Sequence, residues 1–495
     1  MYDRSVTRLA ARAADTATGP EPPAAPVSEA ERDALRLWRR MALEATTDGA
    51  QQPQRISVPV ELRAALRLFE AATKGPVKGS PSAPSAGALY PYEHFVVTGD
   101  PQGPAVFAVD VARRSCRLLH RGEQVAQVLE HSGFASTHSD PTALDAFLVL
   151  TVVRPWLSMR KYGDRGYLYA QMDAAHLGVH LLCLGSRSHR RAQWLTQAAT
   201  GPLTALLGLS DNCRFLHSVL LLDDPVHGCT RTPPQGTWSC TDARGGAPQP
   251  LPTDLPEAQY WRRLAAYRPD PPEHSAAPRR GPLLTGAPAT GQGGSAAAGT
   301  DLAGLTARRR SAKDFAAEVL PADAVRDALA AMVTPLTTDL SVGDGFGATL
   351  VVRRVAGLAP GAYRVRAGGI APEPSGTTVA ADDEIVRICM GQEHLRHTAA
   401  AVVFHARRQE IFPLGMTGID QALARAAALA HLLCLGATGA GAAVTTIGGF
   451  DTVRWHALAA VPEEEEVLYV AMLGTAGTSA VKLDRLQRAY AHDER

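Results

Sequence analysis

The sequence predicts an α+β protein made of two similar halves fused in one chain, and three observations carry that expectation. Its 495 residues exceed what one hydrophobic core usually supports, so two folded units plus linkers are expected. The hexapeptide HLLCLG occurs at His180–Gly185 and again, 251 residues later, at His431–Gly436. Between the copies, residues 228–300 are rich in Pro, Gly, Ala and Ser with little apolar periodicity, a linker composition that divides the chain.

Each element of the duplication can be justified in order. Upstream of the first hexapeptide, Leu168, Met172, Ala175, Val179 and Leu182 step by helical intervals, which predicts one apolar helix face. Ile419, Leu423, Ala426, Ala430 and Leu433 repeat that face before the second copy. The strand-like run AFLVLTVV near 150 has its counterpart in AAVVFHA near 402, and FLHSVLLLD near 219 in VLYVAMLGT near 471. Each half therefore reads as strand, strand, long helix, strand. Two such copies are expected to pack as an intramolecular pseudo-dimer, each covering the face a homodimer would bury, which is compatible with a monomer. The predicted organisation is an extension over 1–54 with one helix (Glu29–Leu43), a first half over 55–227, the linker over 228–300, and a second half over 301–495. A short helix around Ala258–Tyr267, with Trp261, Leu264 and Tyr267 at helical spacing, is expected to dock within the linker.

Composition excludes several functions. A formal net charge of +1 gives no electrostatic case for nucleic acid or an anionic membrane. The uncharged stretch Ala426–Phe450 is broken by His431 and by glycines, so it reads as a buried helix running into a strand rather than a membrane span. The first 26 residues lack the apolar core of a secretory signal, so a cytoplasmic location is expected. Seven cysteines with no CxxC pair predict reduced thiols. His227, Cys229 and Cys240 lie in the Pro- and Gly-rich tract without ligand spacing, and no metal is expected.

The chemistry-bearing motifs differ between the halves. The second half opens with Arg308, Arg309, Arg310, Ser311, Ala312, Lys313, Asp314 and Phe315; guanidinium, hydroxyl and ammonium groups suit a phosphate and an anionic ring edge. Later come Thr445, Thr446, Ile447, Gly448, Gly449 and Phe450, where paired glycines let backbone approach a planar ligand. The first half supplies the small-residue loop from Ser82 through Pro84, Ser85, Ala86 and Gly87 to Tyr90, and the run Arg160, Lys161, Tyr162, Gly163, Asp164, Arg165, Gly166, Tyr167. The basic run Arg187–Arg191 reads as a solvated loop, with contact to a peptide substrate or partner as the alternative.

On these motifs (PSAGALYP, the Lys-Tyr-Gly-x-Arg-Gly-Tyr run, RRSxKxF and IGGF) the sequence resembles the nitroreductase superfamily. Within it, the sequence resembles the SagB-type thiazole/oxazole dehydrogenases, over roughly residues 55–225 and 300–478. The resemblance implies two nitroreductase-like halves, each a central mixed or antiparallel sheet flanked by helices, with FMN bound at the interface. It implies that Arg309, Ser311, Lys313, Gly448 and Gly449 meet Pro84, Ser85 and Ala86 around one FMN, with Gln392 at the ring edge and Lys482 or Arg485 at the phosphate. It assigns the catalytic base to Lys161 and Tyr162. An ordinary lysine (~10.4) or tyrosine (~10) is protonated at neutral pH, so that role needs a neighbourhood favouring the deprotonated form; Arg160, Arg165 and partial burial are the expected causes.

The implied activity is oxidation of thiazolines or oxazolines to azoles in a ribosomally made precursor peptide, beside a cyclodehydratase partner. No GxGxxG nucleotide fold appears, so oxygen is the expected acceptor, with hydrogen peroxide as by-product. The opposite site is expected to be inactive. Lys313 corresponds to about Pro59, the glycine pair to about Ala198 and Ala199, the small-residue loop to Leu336–Ser341, and Lys161 and Tyr162 to Phe412 and Pro413. Two rival readings are a flavin-dependent nitro or quinone reductase, and a non-catalytic scaffold in a peptide-modifying complex.

Overall fold

Both copies of the repeated hexapeptide lie on long helices, Arg165–Gly185 and Gly415–Gly439, in a computed structural model. It describes residues 54–73, 82–99, 102–134, 146–197, 201–209, 214–225, 234–244, 263–264, 267, 277–284, 301–340, 345–366, 369–371 and 374–479. The expected helix Glu29–Leu43 and the phosphate candidates Lys482 and Arg485 lie outside these residues, as do Ala198 and Ala199. Residues Gln54–Arg495 form one compact unit that contains both halves.

The two long helices are apolar on nearly every side because each is covered by a sheet and by its twin. The second belongs to the one helical stretch among the described residues long and apolar enough to cross a membrane, Arg408–Gly439, and its apolar 18-residue window is 89% buried within the protein. As the sequence predicted, it runs into a strand, Ala443–Ile447. Where the helices meet, His180 and His431 face each other at 3.3 Å, and His176 joins His431 at 3.3 Å and Tyr469 Oη at 3.1 Å. Burial, with Arg309 nearby, holds all three imidazoles far below the usual histidine range, so the crossing is a neutral hydrogen-bonded seam.

A shared local geometry marks the duplication. The short helix Trp156–Tyr162 ends on Gly163 at φ 58°, and the turn Phe412–Leu414 ends on Gly415 at φ 56°. Each glycine turns the chain through the left-handed region into its long helix, where a side chain would be strained. These paired turns set the register before the helices one residue beyond the hexapeptide offset, so Lys161 and Tyr162 correspond to Pro413 and Leu414. Neither can carry a base.

The sheets are labelled in chain order. The first half contributes β1 (Gln54–Ile56), β2 (Tyr92–Thr98), β3 (Ala105–Asp110), β4 (Ser115–Arg121), β5 (Phe147–Val153), β6 (His189–Leu195) and β7 (Phe215–Pro225). The linker adds β8 (Ser239–Asp242) and β9 (Arg279–Gly281). The second half contributes β10 (Phe315–Ala316), β11 (Leu336–Thr338), β12 (Phe346–Val352), β13 (Gly361–Arg366), β14 (Gly369–Ile370), β15 (Ala400–Arg407), β16 (Ala443–Ile447) and β17 (Glu465–Ala476). One sheet runs β1-β8-β4-β3-β2-β5-β7-β6-β11-β9, the other β10-β17-β15-β12-β13-β14 with β16 on β17. Pairing is antiparallel except for β4 with β8 and β6 with β11. The fold is α+β with one mixed and one antiparallel sheet, in agreement with the sequence.

Two features depart from the linear picture of half, linker, half. Strand β11 of the second half pairs with β6 of the first, so the first sheet is completed across the duplication. The linker is also more than a tether: Trp238, Cys240, Leu264, Leu283 and Leu284 are buried, and β8 and β9 extend the sheet. Isolated apolar residues in a Pro- and Gly-rich tract carry no period, so composition alone hid them.

Candidate functional site

The residues after helix Leu302–Arg308 leave the helix in extended conformation, which turns Arg309 inward rather than into solvent. Arg309 is only 6% exposed; its Nε donates to the Ser82 carbonyl of the first half at 2.5 Å and its Nη1 to Ser311 Oγ at 3.2 Å. Burial lowers its pKa, and the other groups acting on its charge are the Cys434 thiol and the phenols of Tyr90 and Tyr469. A guanidinium buried among thiol and phenols is a costly arrangement that an anion would relieve. Ser82 Oγ, at the same place, is buried with no hydrogen-bond partner among the described residues.

From Ser82 the small-residue loop passes through a tight turn at Ala86–Ala88. Gly87, Ala88 and Tyr90 have φ of 60°, 56° and 47°, so two non-glycine residues occupy the left-handed region. The loop is held from below by Asp173 of the first long helix, which accepts from Ser85 Oγ at 2.6 Å and from the Ala86 amide at 3.0 Å. Ser85 Oγ in turn accepts from the Tyr90 amide at 2.9 Å. Burial pushes the Asp173 carboxyl up to about 7, against the pull of its Ser85 and Ala86 hydrogen bonds.

Above the loop stand the two candidate catalytic residues. A Cβ added at Gly87 would strike Tyr162 Oη and come 2.7 Å from Lys161 Nζ, so only glycine lets both groups reach this turn. Lys161 Nζ lies 5.1 Å from the centre of the Tyr162 ring, and Tyr162 packs edge-on against Tyr169 with centroids 4.9 Å apart. Arg160 is exposed and lies over Trp156 at 5.7 Å. Arg165 crosses to the second half: its Nε donates to the Gly448 carbonyl at 2.7 Å, and its guanidinium lies 4.9 Å from the Phe450 ring centre.

The Gly448–Gly449 loop completes the arrangement. A Cβ at Gly448 would collide with the Tyr169 ring, so the glycine is required by close approach. Gln392 braces the loop, its Nε2 donating to Gly449 O at 2.9 Å and to Cys389 O at 2.7 Å. Two contacts thus cross between the halves, Arg309 to the Ser82 carbonyl and Arg165 to the Gly448 carbonyl, and Lys161 and Tyr162, at the end of the helix Trp156–Tyr162, come against the loop at Gly87. Sequence reasoning missed Asp173 and Tyr169. An aspartate within the apolar face of the repeated helix, where the second copy has Ala424, was the available signal.

The opposite site is built differently. Arg55 and Ser57 are exposed, and Arg55 belongs to edge strand β1. Asp339, from the loop that replaces the small-residue loop, accepts from the Thr196 amide at 2.7 Å, Thr196 Oγ1 at 3.1 Å and the Gln197 amide at 2.6 Å. By the hexapeptide offset, Thr196 and Gln197 correspond to Ile447 and Gly448. Arg425 donates to Leu283 O of the linker at 2.8 Å, and Tyr167 Oη donates to Tyr267 O at 3.2 Å and to Asp420 at 3.0 Å.

The donor set at the first site fits an anionic, phosphate-bearing planar ligand such as FMN. A buried arginine, Ser311 and the Ser82 hydroxyl supply polar donors, and Gly448–Gly449 supplies backbone free of side chains. Among the described residues, no group of three or more His, Cys, Asp or Glu side chains could hold a metal ion.

No known family profile matches the chain, and no curated protein matches it. Among solved structures, a protein of Anabaena variabilis described as a candidate nitroreductase aligns with 89% of this chain and 95% of its own, with a TM-score of 0.58 at 19% identity. The Escherichia coli microcin synthetase McbBCD complex with truncated pro-MccB17 aligns with 34% of this chain and 70% of its own, with a TM-score of 0.30 at 16% identity. The Vibrio harveyi NADPH:FMN oxidoreductase complexed with NAD+ aligns with 36% and 70%, with a TM-score of 0.25 at 14% identity. The first likeness spans both halves and shows the nitroreductase fold.

Proposed function

We propose that this chain is an FMN-dependent oxidase that converts thiazoline or oxazoline rings of a precursor peptide to thiazoles or oxazoles. The observation that carries the reading is the corner at Gly87, where Lys161 Nζ and Tyr162 Oη converge on the loop that also receives Arg309 from the other half. The substrate class and the cyclodehydratase partner come from the motif resemblance, not from the geometry.

In this reading Arg309, Ser311 and Lys313 hold the phosphate and ribityl side of FMN, with Pro84, Ser85 and Ala86 facing them and the Gly448–Gly449 backbone along the ring. A flavin held there would supply a two-electron acceptor for the hydride of the azoline ring, with oxygen as the expected reoxidant. The chain must supply the other half of the two-hydrogen removal. Lys161 or Tyr162 takes the proton from the ring carbon, and the cation of Arg165, fixed by Gly448 O, stands at the entrance to the first long helix. Tyr162 is wedged between Gly87 and Tyr169, so its hydroxyl is placed by packing rather than by a mobile tether.

The experiment is Lys161→Ala and Tyr162→Phe with an azoline peptide, followed by mass spectrometry for the loss of two hydrogens per ring. Both variants are expected to retain FMN, and at least one to lose about a hundredfold or more in azole formation, the usual weight of a general base. Unchanged turnover in both would remove the base assignment. Rapid NADPH oxidation without any peptide would instead favour a nitro or quinone reductase.

A further inference from the structure

The residue that orders the catalytic corner is one that no motif singles out. We propose that Asp173 is a positioning residue whose ionised carboxylate clamps the strained loop Ser82–Tyr90 and thereby seats Gly87 against Lys161 and Tyr162. The importance of that corner rests on the reading above; the clamp itself does not.

The clamp is a chain of three bonds. Asp173 receives Ser85 Oγ and the Ala86 amide, and Ser85 Oγ, with its proton given to the carboxylate, presents its lone pair to the Tyr90 amide. Those bonds span the stretch in which Ala88 and Tyr90 sit in the left-handed region. Backbone strain of that kind persists only where surrounding structure over-determines it. The loop's ends are held separately, Ser82 by its amide on Ala72 O and its carbonyl under Arg309, and the Tyr90 carbonyl by the Tyr92 amide; in the turn itself the Ala88 amide reaches Ser85 O and the Leu89 amide Ala86 O. Asp173 is therefore the anchor that fixes the turn to the helix.

The groups facing Asp173 agree with this role. Besides Ser85 and Ala86 from the loop, the titratable neighbours are the phenols of Tyr92 on β2 and Tyr469 on β17. Tyr92 is also coupled to Tyr90, and Tyr469 is tied to His176 on the same long helix as Asp173 and lies near Arg309. Each phenol is raised by burial, with Asp173 adding to the rise, so both stay neutral beside it. Asp173 is then the group of this cluster that changes charge near neutrality, since burial lifts it to about 7. Ionised, it accepts the hydroxyl and the amide together; protonated, it loses the charge that strengthens both bonds.

The test reads the loop directly, without turnover. Amide hydrogen exchange of Ala86, Ala88 and Tyr90 is followed in the full chain at about pH 6 and about pH 8, either side of the Asp173 transition, and expressed as protection over the intrinsic rate. In the native protein, protection is expected to be roughly tenfold higher at the upper pH, the scale of one lost charge-assisted bond. Asp173→Asn is expected to show low protection at both values, with no step between them. Ser85→Ala keeps the carboxylate but cuts the link to Tyr90, so it should lower protection at Tyr90 more than at Ala86. Protection that is independent of pH and equal in wild type and both variants overturns the clamp.

Kinetics separate the two levels. If azole formation is the reaction, Asp173→Asn should lower kcat of the FMN-loaded protein with KM preserved, and remove the acid limb of the pH profile near 7. If exchange behaves as expected while no variant or wild-type protein forms azoles, the clamp stands and the reaction assignment falls.

Discussion

Arg309 shows how much one residue can be asked to do. It ties its own Ser311 to the carbonyl of Ser82, a residue of the other half, while losing most of its hydration. Arg309→Ala with Ser311→Ala should release FMN, raising its Kd by about a hundredfold or more at roughly 1.5–3 kcal/mol per charged hydrogen bond. Equilibrium dialysis against the wild type measures this, and the same pair of changes at Arg55 and Ser57 should leave flavin content unaltered. Gly448→Ala must displace the buried Tyr169 ring; overpacking of about 1–3 kcal/mol and weaker flavin retention are expected. Two buried carboxyls also fix a pH dependence. Asp173 and Asp420 are each lifted by burial from an ordinary 3.8 to about 7. The stability they contribute is therefore fully present below about 4 and lost as pH rises through about 7. Denaturant midpoints should fall over that range, and Asp173→Asn should flatten its share of the slope. Loop order rises with pH where global stability falls, so the two readouts separate.

Among the elements, the long helices were the most legible, because a repeated apolar face and a repeated hexapeptide need no tertiary information. The strands around 150, 219, 402 and 471 were legible for the same reason, and each is present as β5, β7, β15 and β17. The linker strands were not. β8 and β9 are three or four residues long and owe their conformation to the neighbours they pair with, β1, β4 and β11. Asp339 was equally hidden, since an aspartate in a Thr-rich stretch looks like any turn. Its carboxylate satisfies the Thr196 and Gln197 amides and is itself buried. Asp339→Ala would strand both donors, and a loss of about 3 kcal/mol is expected by urea unfolding.

At the scale of the molecule, the halves are not separable modules. β11 is a strand of the second half in the sheet of the first, Arg309 and Arg165 cross in opposite directions, and the linker contributes buried leucines. Co-expressed separate halves should recover flavin binding only as a complex, and neither alone should hold it; absorbance after gel filtration checks both. Flavin absorbance should give one FMN per chain, and two per chain would refute the single-site reading. The partition of motifs was readable in the sequence because loss and retention are positional. What fills the second site was not: Leu283 and Tyr267 come from the linker, which has no copy, and Asp339 stands in a loop whose sequence no longer resembles its counterpart Ser82–Tyr90.

That second site resists being rebuilt. Grafting an arginine-serine motif near residue 55 and a glycine pair near residue 198 would restore the missing parts list, yet the Thr196 and Gln197 amides would still be taken by Asp339, and Arg425 would still hold the linker at Leu283. A second cofactor would have to evict a tenant built into the same polypeptide, which competes intramolecularly and never dilutes away. Symmetry here has been closed off from inside, and restoring it would demand deletions before additions.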